Sequence, residues 1–131
     1  MWERYANNPA GRSVGDCAVR AVAKALGLTW DAAYIKLAVE GFTIKDMPSS
    51  NSVIGILLKE NGFEKDTVPN TCPDCYTLED FAHDHPHGVY VVFTSGHVVT
   101  VENGKICDSW DSSNEIPIYY FAKGDSSNGN V

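Results

Sequence analysis

The dipeptide Asn103-Gly104 constrains the fold of this chain more than any other feature of its sequence. It separates two runs that are rich in β-branched and aromatic residues, at 97–102 and 105–110. An Asn-Gly pair between two such runs is the strongest short-range signal for a β-hairpin closed by a two-residue turn. The sequence therefore predicts two antiparallel strands whose register is fixed by this turn.

The register brings a histidine and an aspartate together. Glu102 pairs with Lys105 across the turn, and side chains alternate between the two faces of a strand. His97 and Asp108 then lie on one face as diagonal neighbours, with Cβ atoms roughly 5.5–8 Å apart, within reach of a side-chain hydrogen bond. The rest of that face is mostly apolar and is expected to pack against the helices. Two polar groups on such a face need a partner, and each can serve the other.

The remaining elements follow from capping residues and apolar spacing. Four helices are predicted, at Cys17–Leu26 behind Asp16, at 30–41, at 52–62 and at 77–85 before Pro86. Strands are predicted at 88–94, 97–102, 105–110 and 116–121. A helical half followed by a β-rich half is typical of an α+β domain. We expect the helix that begins at Cys17 to pack on a C-terminal antiparallel β-sheet.

Length, charge and composition limit the number of domains, the partners and the location of this chain. A chain of 131 residues suits one domain, placed at 1–123, and the small polar residues at 124–131 are expected to be disordered. The net charge of −7 argues against nucleic acid as a partner, because phosphate binding needs a basic surface. No apolar run reaches the length of a membrane span. The N-terminal residues lack a secretory signal pattern, so a cytoplasmic location is expected.

The segment Gly15-Asp16-Cys17 places a cysteine at the first turn of a predicted helix. The positive end of the helix dipole favours the thiolate at this position. A neighbouring imidazolium would lower the pKa of the thiol further, and a third group would fix the orientation of that imidazole. Cys17, His97 and Asp108 supply these groups, so they are the candidate catalytic residues.

Three short motifs in this order resemble the core of the papain-like cysteine peptidases: "GDC" opening a helix, "GHVV" opening a strand and "DSW" on the next strand. The resemblance implies Cys17 as nucleophile, His97 as general base and then acid, and Asp108 as the residue that orients His97. It also implies that Trp110 shields the contact between the histidine and the aspartate. The chain is similar as well to small proteins of Gram-positive bacteria and their phages that share "NPxGxxxGDCxxRA", "CPDCYT" and "GHVVxVxxGxxxDxWDS".

The chain departs from the papain-like pattern at the oxyanion hole. Papain-like enzymes usually carry a glutamine about six residues before the nucleophile, and this sequence has Gly11 there. Asn8 is the first candidate for the missing side-chain donor, with Asn7 and Ser13 as alternatives. Any of them would act beside the backbone N–H of Cys17.

Two further charged residues lie near these motifs. Asp111 is the rival of Asp108, but alternation along the strand points its side chain to the face opposite His97. Arg20 follows Cys17 by one helical turn and is interpreted as structural, paired with Asp16 or another acidic neighbour.

A zinc site is a weaker alternative use of the cysteines. Cys72 and Cys75 form a CxxC pair, and His83, His85 and His87 follow nearby. Tetrahedral zinc accepts both residue types, but a strong site would show a second regularly spaced pair. We therefore expect no metal and no other cofactor, with Cys72 and Cys75 as two reduced thiols in a loop or as an adventitious disulfide.

The leading hypothesis is a cysteine hydrolase that cleaves an amide or isopeptide bond of a protein or peptide substrate through a thioester acyl-enzyme. The same three groups also serve amidases, deamidases and acyltransferases. A second hypothesis is a non-catalytic protein-binding module on this scaffold, such as a phage inhibitor of a host protein, for which the acidic surface suits a basic partner. A third is a zinc-binding adaptor organised by Cys72 and Cys75.

Overall fold

The computed structural model describes residues 1–68 and 76–124 and contains four helices and six strands in this part of the chain. The helices are α1 (Cys17–Leu26), α2 (Trp30–Ile44), α3 (Asn51–Glu60) and α4 (Leu78–Asp84). The strands are β1 (Trp2–Arg4), β2 (Phe63–Thr67), β3 (Val89–Thr94), β4 (His97–Glu102), β5 (Lys105–Asp108) and β6 (Pro117–Lys123). The α+β class expected from the sequence is confirmed.

The six strands form one sheet in the order β1-β5-β4-β3-β6-β2. The predicted hairpin is confirmed, because β4 and β5 are antiparallel and Glu102 pairs with Lys105. Asn103 and Gly104 have φ of 51° and 78°, and positive φ at both central residues is the mark of the turn that suits a two-residue hairpin.

The predicted antiparallel pairing holds for the C-terminal strands β3 to β6, but the whole sheet is mixed. The N-terminal strand β1 joins one edge and runs parallel to β5, with Trp2 opposite Ile106 and Arg4 opposite Asp108. The opposite edge is β2, which pairs with β6. The sequence Phe-Glu-Lys-Asp-Thr of β2 is polar because an edge strand exposes most of its side chains, and charges there discourage pairing with other chains.

Helix boundaries follow the capping residues, with one exception. The side chains of Thr29 and Ser50 cap α2 and α3, and Thr77 forms a capping box with Asp80 at α4. The predicted end of α2 at Gly41 is wrong, because this helix continues to Ile44. Gly41 is instead buried inside the helix, where an added Cβ would lie 2.7 Å from the backbone oxygen of Asp46. The absence of a side chain lets the chain fold back closely after the helix.

Helices cover both faces of the sheet. On one face α1, α2 and α3 share a core with Val91, Phe93 and Val98. On the other face α4 packs over Val99, among other residues of the central strands. The prediction that the face of Val99 packs against helices is therefore met by α4, while α1 lies on the opposite face of β4.

The helix α1 is fastened to the sheet by a buried polar contact. The hydroxyl of Thr100 on β4 donates to the backbone oxygen of Ala21 at 2.7 Å, and Thr100 is fully buried. This contact fixes α1 along β4 and so fixes the height of its first residue, Cys17, relative to the start of the strand, where His97 lies.

The described part of the chain has no helix with the length and apolar character needed to cross a bilayer. At the C-terminal end, Gly124 donates its backbone N–H to the oxygen of Gly62 at 2.7 Å. The remaining residues of the expected polar tail, 125–131, lie outside the described residues.

The hairpin turn can be tested by substitution. We expect Gly104→Ala to lower the free energy of unfolding by about 1–2 kcal/mol, because a residue with a Cβ is strained at φ of 78°. Gly15→Ala is the matched control, since its φ lies outside the left-handed region and its Cβ would meet no atom within 4 Å. Urea unfolding of both variants checks this, and an equal change in the two would contradict the assignment of strain to the turn.

Candidate active site

His97 and Asp108 are hydrogen bonded, as the hairpin register predicts. The imidazole Nε2 lies 2.6 Å from the Asp108 Oδ2. The ladder between β4 and β5 ends at Thr100 and Cys107, whereas His97 pairs with Thr94 of β3 and Asp108 pairs with Arg4 of β1. The carboxylate of Asp108 also contacts α1, through the guanidinium of Arg20.

The carboxylate of Asp108 is 1% exposed and has four hydrogen-bond donors. Oδ2 accepts from His97 and from the hydroxyl of Ser112 at 2.7 Å. Oδ1 accepts from the backbone N–H of Ser109 at 2.8 Å and from the guanidinium of Arg20 at 3.1 Å. Burial raises the pKa of Asp108, but the hydrogen bonds from His97 and Ser112 outweigh it and hold the pKa below its ordinary value. The group is a carboxylate that can only accept, so Nε2 of His97 carries a proton.

This arrangement leaves Nδ1 of His97 for Cys17. Cys17 is the first residue of α1 and is half-buried. Hydrogen bonding to His97 is the largest effect on the pKa of the Cys17 thiol and lowers it, and burial opposes that change. The backbone of Val98 and the charges of His97 and Arg20 lower the pKa further, so the net shift is downward.

The pKa of His97 moves in the opposite direction. Burial lowers it, but the hydrogen bonds to Asp108 and Cys17 outweigh burial and raise the pKa to about 9. A thiol with a lowered pKa beside an imidazole with a raised pKa favours the thiolate–imidazolium pair over the two neutral groups. The pair titrates as a unit, because each charged form stabilises the other.

Arg20 does more than the sequence predicted. Its guanidinium binds Asp16, as expected for a structural pair, and also Asp108, so it links the residue before the nucleophile to the carboxylate that holds the histidine. The side chain of Asp16 is used in this network and accepts from the indole of Trp30 at 2.9 Å. Asp16 therefore occupies the N-cap position without making the side-chain cap that the sequence suggested. The N–H groups at the start of α1 are left without that cap.

Trp110 lies against the imidazole of His97, with ring centroids 5.1 Å apart and a tilt of 47° between the planes. This is the position that the expected shielding role requires, although the indole is 45% exposed. The rival residue Asp111 is exposed, and its carboxylate accepts from Ser113 instead. The structure therefore pairs His97 with Asp108 and not with Asp111.

The oxyanion-hole candidates lie along the loop before α1. Gly11 adopts φ of 67° in a turn that begins at Asn8, whose Oδ1 accepts from the backbone N–H of Ala10 at 2.8 Å. Asn8 and Ser13 both line a cavity that reaches Asp16 and Trp110. Asn7 faces a different depression beside Trp30, and its Oδ1 is buried without a hydrogen bond to the described residues. Asn8 and Ser13 therefore share one cavity that borders α1, and Asn7 lines a different one.

The zinc hypothesis has little support in the described residues. Cys72 and Cys75 lie outside them, and residues 1–68 and 76–124 contain no cluster of three or more potential metal ligands. Of the nearby histidines, His85 stacks on Phe81, and its Nδ1 lies 2.8 Å from the backbone oxygen of Phe81. That ring has a structural role in the α4 core.

Sequence reasoning missed Ser112 and the contact between Arg20 and Asp108. A serine four residues after Asp108 in a loop carries no periodic signal, so only the fold places its hydroxyl on the carboxylate. Arg20 gave a usable signal, since an arginine on the buried side of a helix must find an acidic partner.

Comparison with known proteins adds no assignment. No family model, curated protein or solved structure matches the chain significantly. A function for this chain must therefore be inferred from the geometry of Cys17, His97 and Asp108.

The pairing of His97 can be tested by NMR titration of its imidazole. We expect Asp108→Asn to lower the pKa of His97 from about 9 by at least about one unit, because the variant removes the negative charge at Oδ2. Asp111→Asn is the matched control and should leave the titration unchanged. A larger effect of the Asp111 variant would reverse the assignment.

The same pair predicts a pH dependence of stability. The pKa of His97 is raised on folding, so its contribution is fully present below the unfolded value of about 6.5 and is lost as the pH rises through about 9. The difference in free energy of unfolding between the wild type and Asp108→Asn should therefore narrow over this range. Urea unfolding at several pH values measures it, and a constant difference would contradict the prediction.

Proposed function

We propose that this chain is a cysteine hydrolase that cleaves an amide or isopeptide bond of a peptide or protein, with Cys17 as nucleophile. The observation that carries the proposal is the part-buried His97–Asp108 pair, hydrogen bonded at 2.6 Å, beside a cysteine at a helix N-terminus whose pKa this imidazole lowers. A merely structural cysteine has no need of an oriented imidazole. An oriented imidazole is one of the groups that activate a thiol as a nucleophile.

The attack step uses the thiolate–imidazolium pair. The Cys17 Sγ adds to the substrate carbonyl carbon, and the carbonyl π electrons move to the oxygen. The backbone N–H of Cys17, the first residue of α1, would be the main-chain donor for this oxyanion. Asn8 or Ser13 would supply the side-chain donor that glutamine provides in papain-like enzymes.

His97 acts next as an acid and then as a base. The imidazolium gives its Nδ1 proton to the leaving nitrogen as the carbon–nitrogen bond breaks, which leaves a thioester on Cys17. The neutral imidazole then takes a proton from water as the water oxygen attacks the thioester carbon. The carbon–sulfur bond breaks next, which releases the carboxylic acid product and restores the Cys17 thiolate beside the imidazolium. Asp108 keeps the proton on Nε2 throughout and so keeps Nδ1 facing the reaction.

The order of the three residues and the packing of α1 on β4 support a papain-like core for this α+β domain. In the resemblance, the nucleophile begins a helix, the histidine begins a strand and the acidic residue ends the next strand, which is the arrangement of Cys17, His97 and Asp108 here. Transfer of the acyl group to an amine instead of water would make the same site an acyltransferase. The acceptor that reaches the thioester decides between them.

The thiolate is tested by the pH dependence of its alkylation with iodoacetamide, read for each cysteine by peptide mass spectrometry. We expect Cys17 to react well below the ordinary thiol pKa of about 8.5 and to return to an ordinary profile in His97→Ala. Cys107 is an internal control, because it is buried and its pKa is raised by burial. An unshifted Cys17, or a profile unaffected by the His97 substitution, would falsify the catalytic proposal.

A second candidate function is binding of another protein without catalysis. The helix α2 presents Ile35, Val39 and Phe42 along one side, and these side chains are 61%, 59% and 75% exposed. An apolar stripe of this kind is typical of an interaction surface. A partner bound through this stripe would remain bound to Cys17→Ala and be lost from Phe42→Ser.

A further inference from the structure

A cavity of about 330 Å³ opens beside the site and carries an unusual charge for this molecule. Arg4, Arg12 and Arg20 line it, together with Trp110 and Asn8 among other residues. The chain as a whole has a net charge of −7, so three arginines around one cavity oppose the general trend of its surface.

Two of these arginines have no acidic partner in the described residues. Arg20 is neutralised by Asp16 and Asp108. Arg4 donates to the backbone oxygen of Ser109 at 2.9 Å, and neither Arg4 nor Arg12 forms an ion pair within residues 1–68 and 76–124.

The cavity is lined by one acidic side chain, and the carboxylate of that side chain is already hydrogen bonded. Asp16 lines the cavity, but its carboxylate accepts from both Arg20 and Trp30. The cavity therefore has two guanidinium groups that no carboxylate of the described residues neutralises, and no unpaired negative charge to oppose an anion. A planar guanidinium binds a carboxylate with two parallel hydrogen bonds.

The position of Trp110 shows which part of a substrate would enter. Trp110 is a wall of the cavity and contacts the imidazole of His97. The proposed mechanism requires the leaving nitrogen to approach His97 to be protonated. The cavity therefore lies on the leaving-group side of the bond.

A second cavity, of about 280 Å³, also borders the first turn of α1 and shares Val14 and Asp16 with the first. It is lined mainly by apolar and aromatic residues, which include Ala18, Trp30 and Leu37. Among the described residues, no arginine lines this second cavity, so the two cavities offer different chemistry to a bound substrate.

We propose that the arginine-lined cavity binds a carboxylate on the leaving-group side of the substrate, held by Arg4 and Arg12. This inference rests on the proposed function and narrows its substrates to peptides with a negative charge just after the cleaved bond. The carboxylate is either the C-terminus of the peptide or an acidic side chain. Both present the same group to the two arginines.

The test is a binding measurement on the full chain carrying Cys17→Ala, which removes turnover. Three short peptides serve as probes: tetra-alanine as the free acid, tetra-alanine amide, and the amide of Ala-Ala-Glu-Ala. Binding is followed by NMR through the indole N–H of Trp110. We expect a carboxylate peptide to bind about tenfold more tightly than the neutral amide, and Arg12→Gln or Arg4→Gln to remove most of this difference.

Lys36→Gln is the matched control, because it makes the same change of charge at an exposed residue that lines neither cavity. Equal binding of neutral and anionic peptides, or an equal loss in Lys36→Gln, would overturn the proposal. Preference for the free acid identifies a C-terminal carboxylate, and preference for the glutamate peptide identifies a side chain. An inert Cys17 in the alkylation experiment would refute catalysis without affecting this binding result, so the two failures are distinguishable.

Discussion

A buried carboxylate must be surrounded by donors, and Asp108 is the point at which the fold meets this requirement. The cost of burying an unpaired charge is large, so its neighbours are not free to lie elsewhere. Donors reach it from α1, from β4 and from the loop that follows β5. The backbone oxygen of the same residue accepts from Trp2 and Tyr5 as well. One residue therefore joins the N-terminal strand, the first helix and the hairpin.

The charges around Asp108 form an alternating row from Asp16 through Arg20 and Asp108 to His97 and Cys17. Each member has a partner of opposite sign, which is how several ionisable groups can share a largely buried region. The residues of this row have different roles. Arg20 and Ser112 position the carboxylate, the carboxylate positions the imidazole, and the imidazole has the largest effect on the pKa of the thiol.

The part of this site that the sequence predicts is the part encoded by local signals. Asn103-Gly104 fixes a register, the register places His97 beside Asp108, and the start of α1 places Cys17 at a helix terminus. The strands β1 and β2 escaped prediction because three residues give no alternation, and Phe63–Thr67 is polar on an edge. The parallel pairing of β1 with β5 joins residues more than a hundred positions apart, and no local pattern encodes it. Ser112 was missed because a single serine in a loop carries no periodic signal, although it lies only four residues from Asp108.

The distance along the chain between these partners has a consequence for the nascent protein. Cys17 is synthesised before its partners, because His97 and Asp108 follow it by roughly 80 to 90 residues. Until the hairpin closes and Arg20 meets Asp108, the cysteine has neither an imidazole beside it nor a fixed helix beneath it. During synthesis it is therefore an ordinary thiol. The downward shift of its pKa arises only when the tertiary structure brings these groups together, so the thiolate fraction of Cys17 is a property of the finished fold and not of the growing chain.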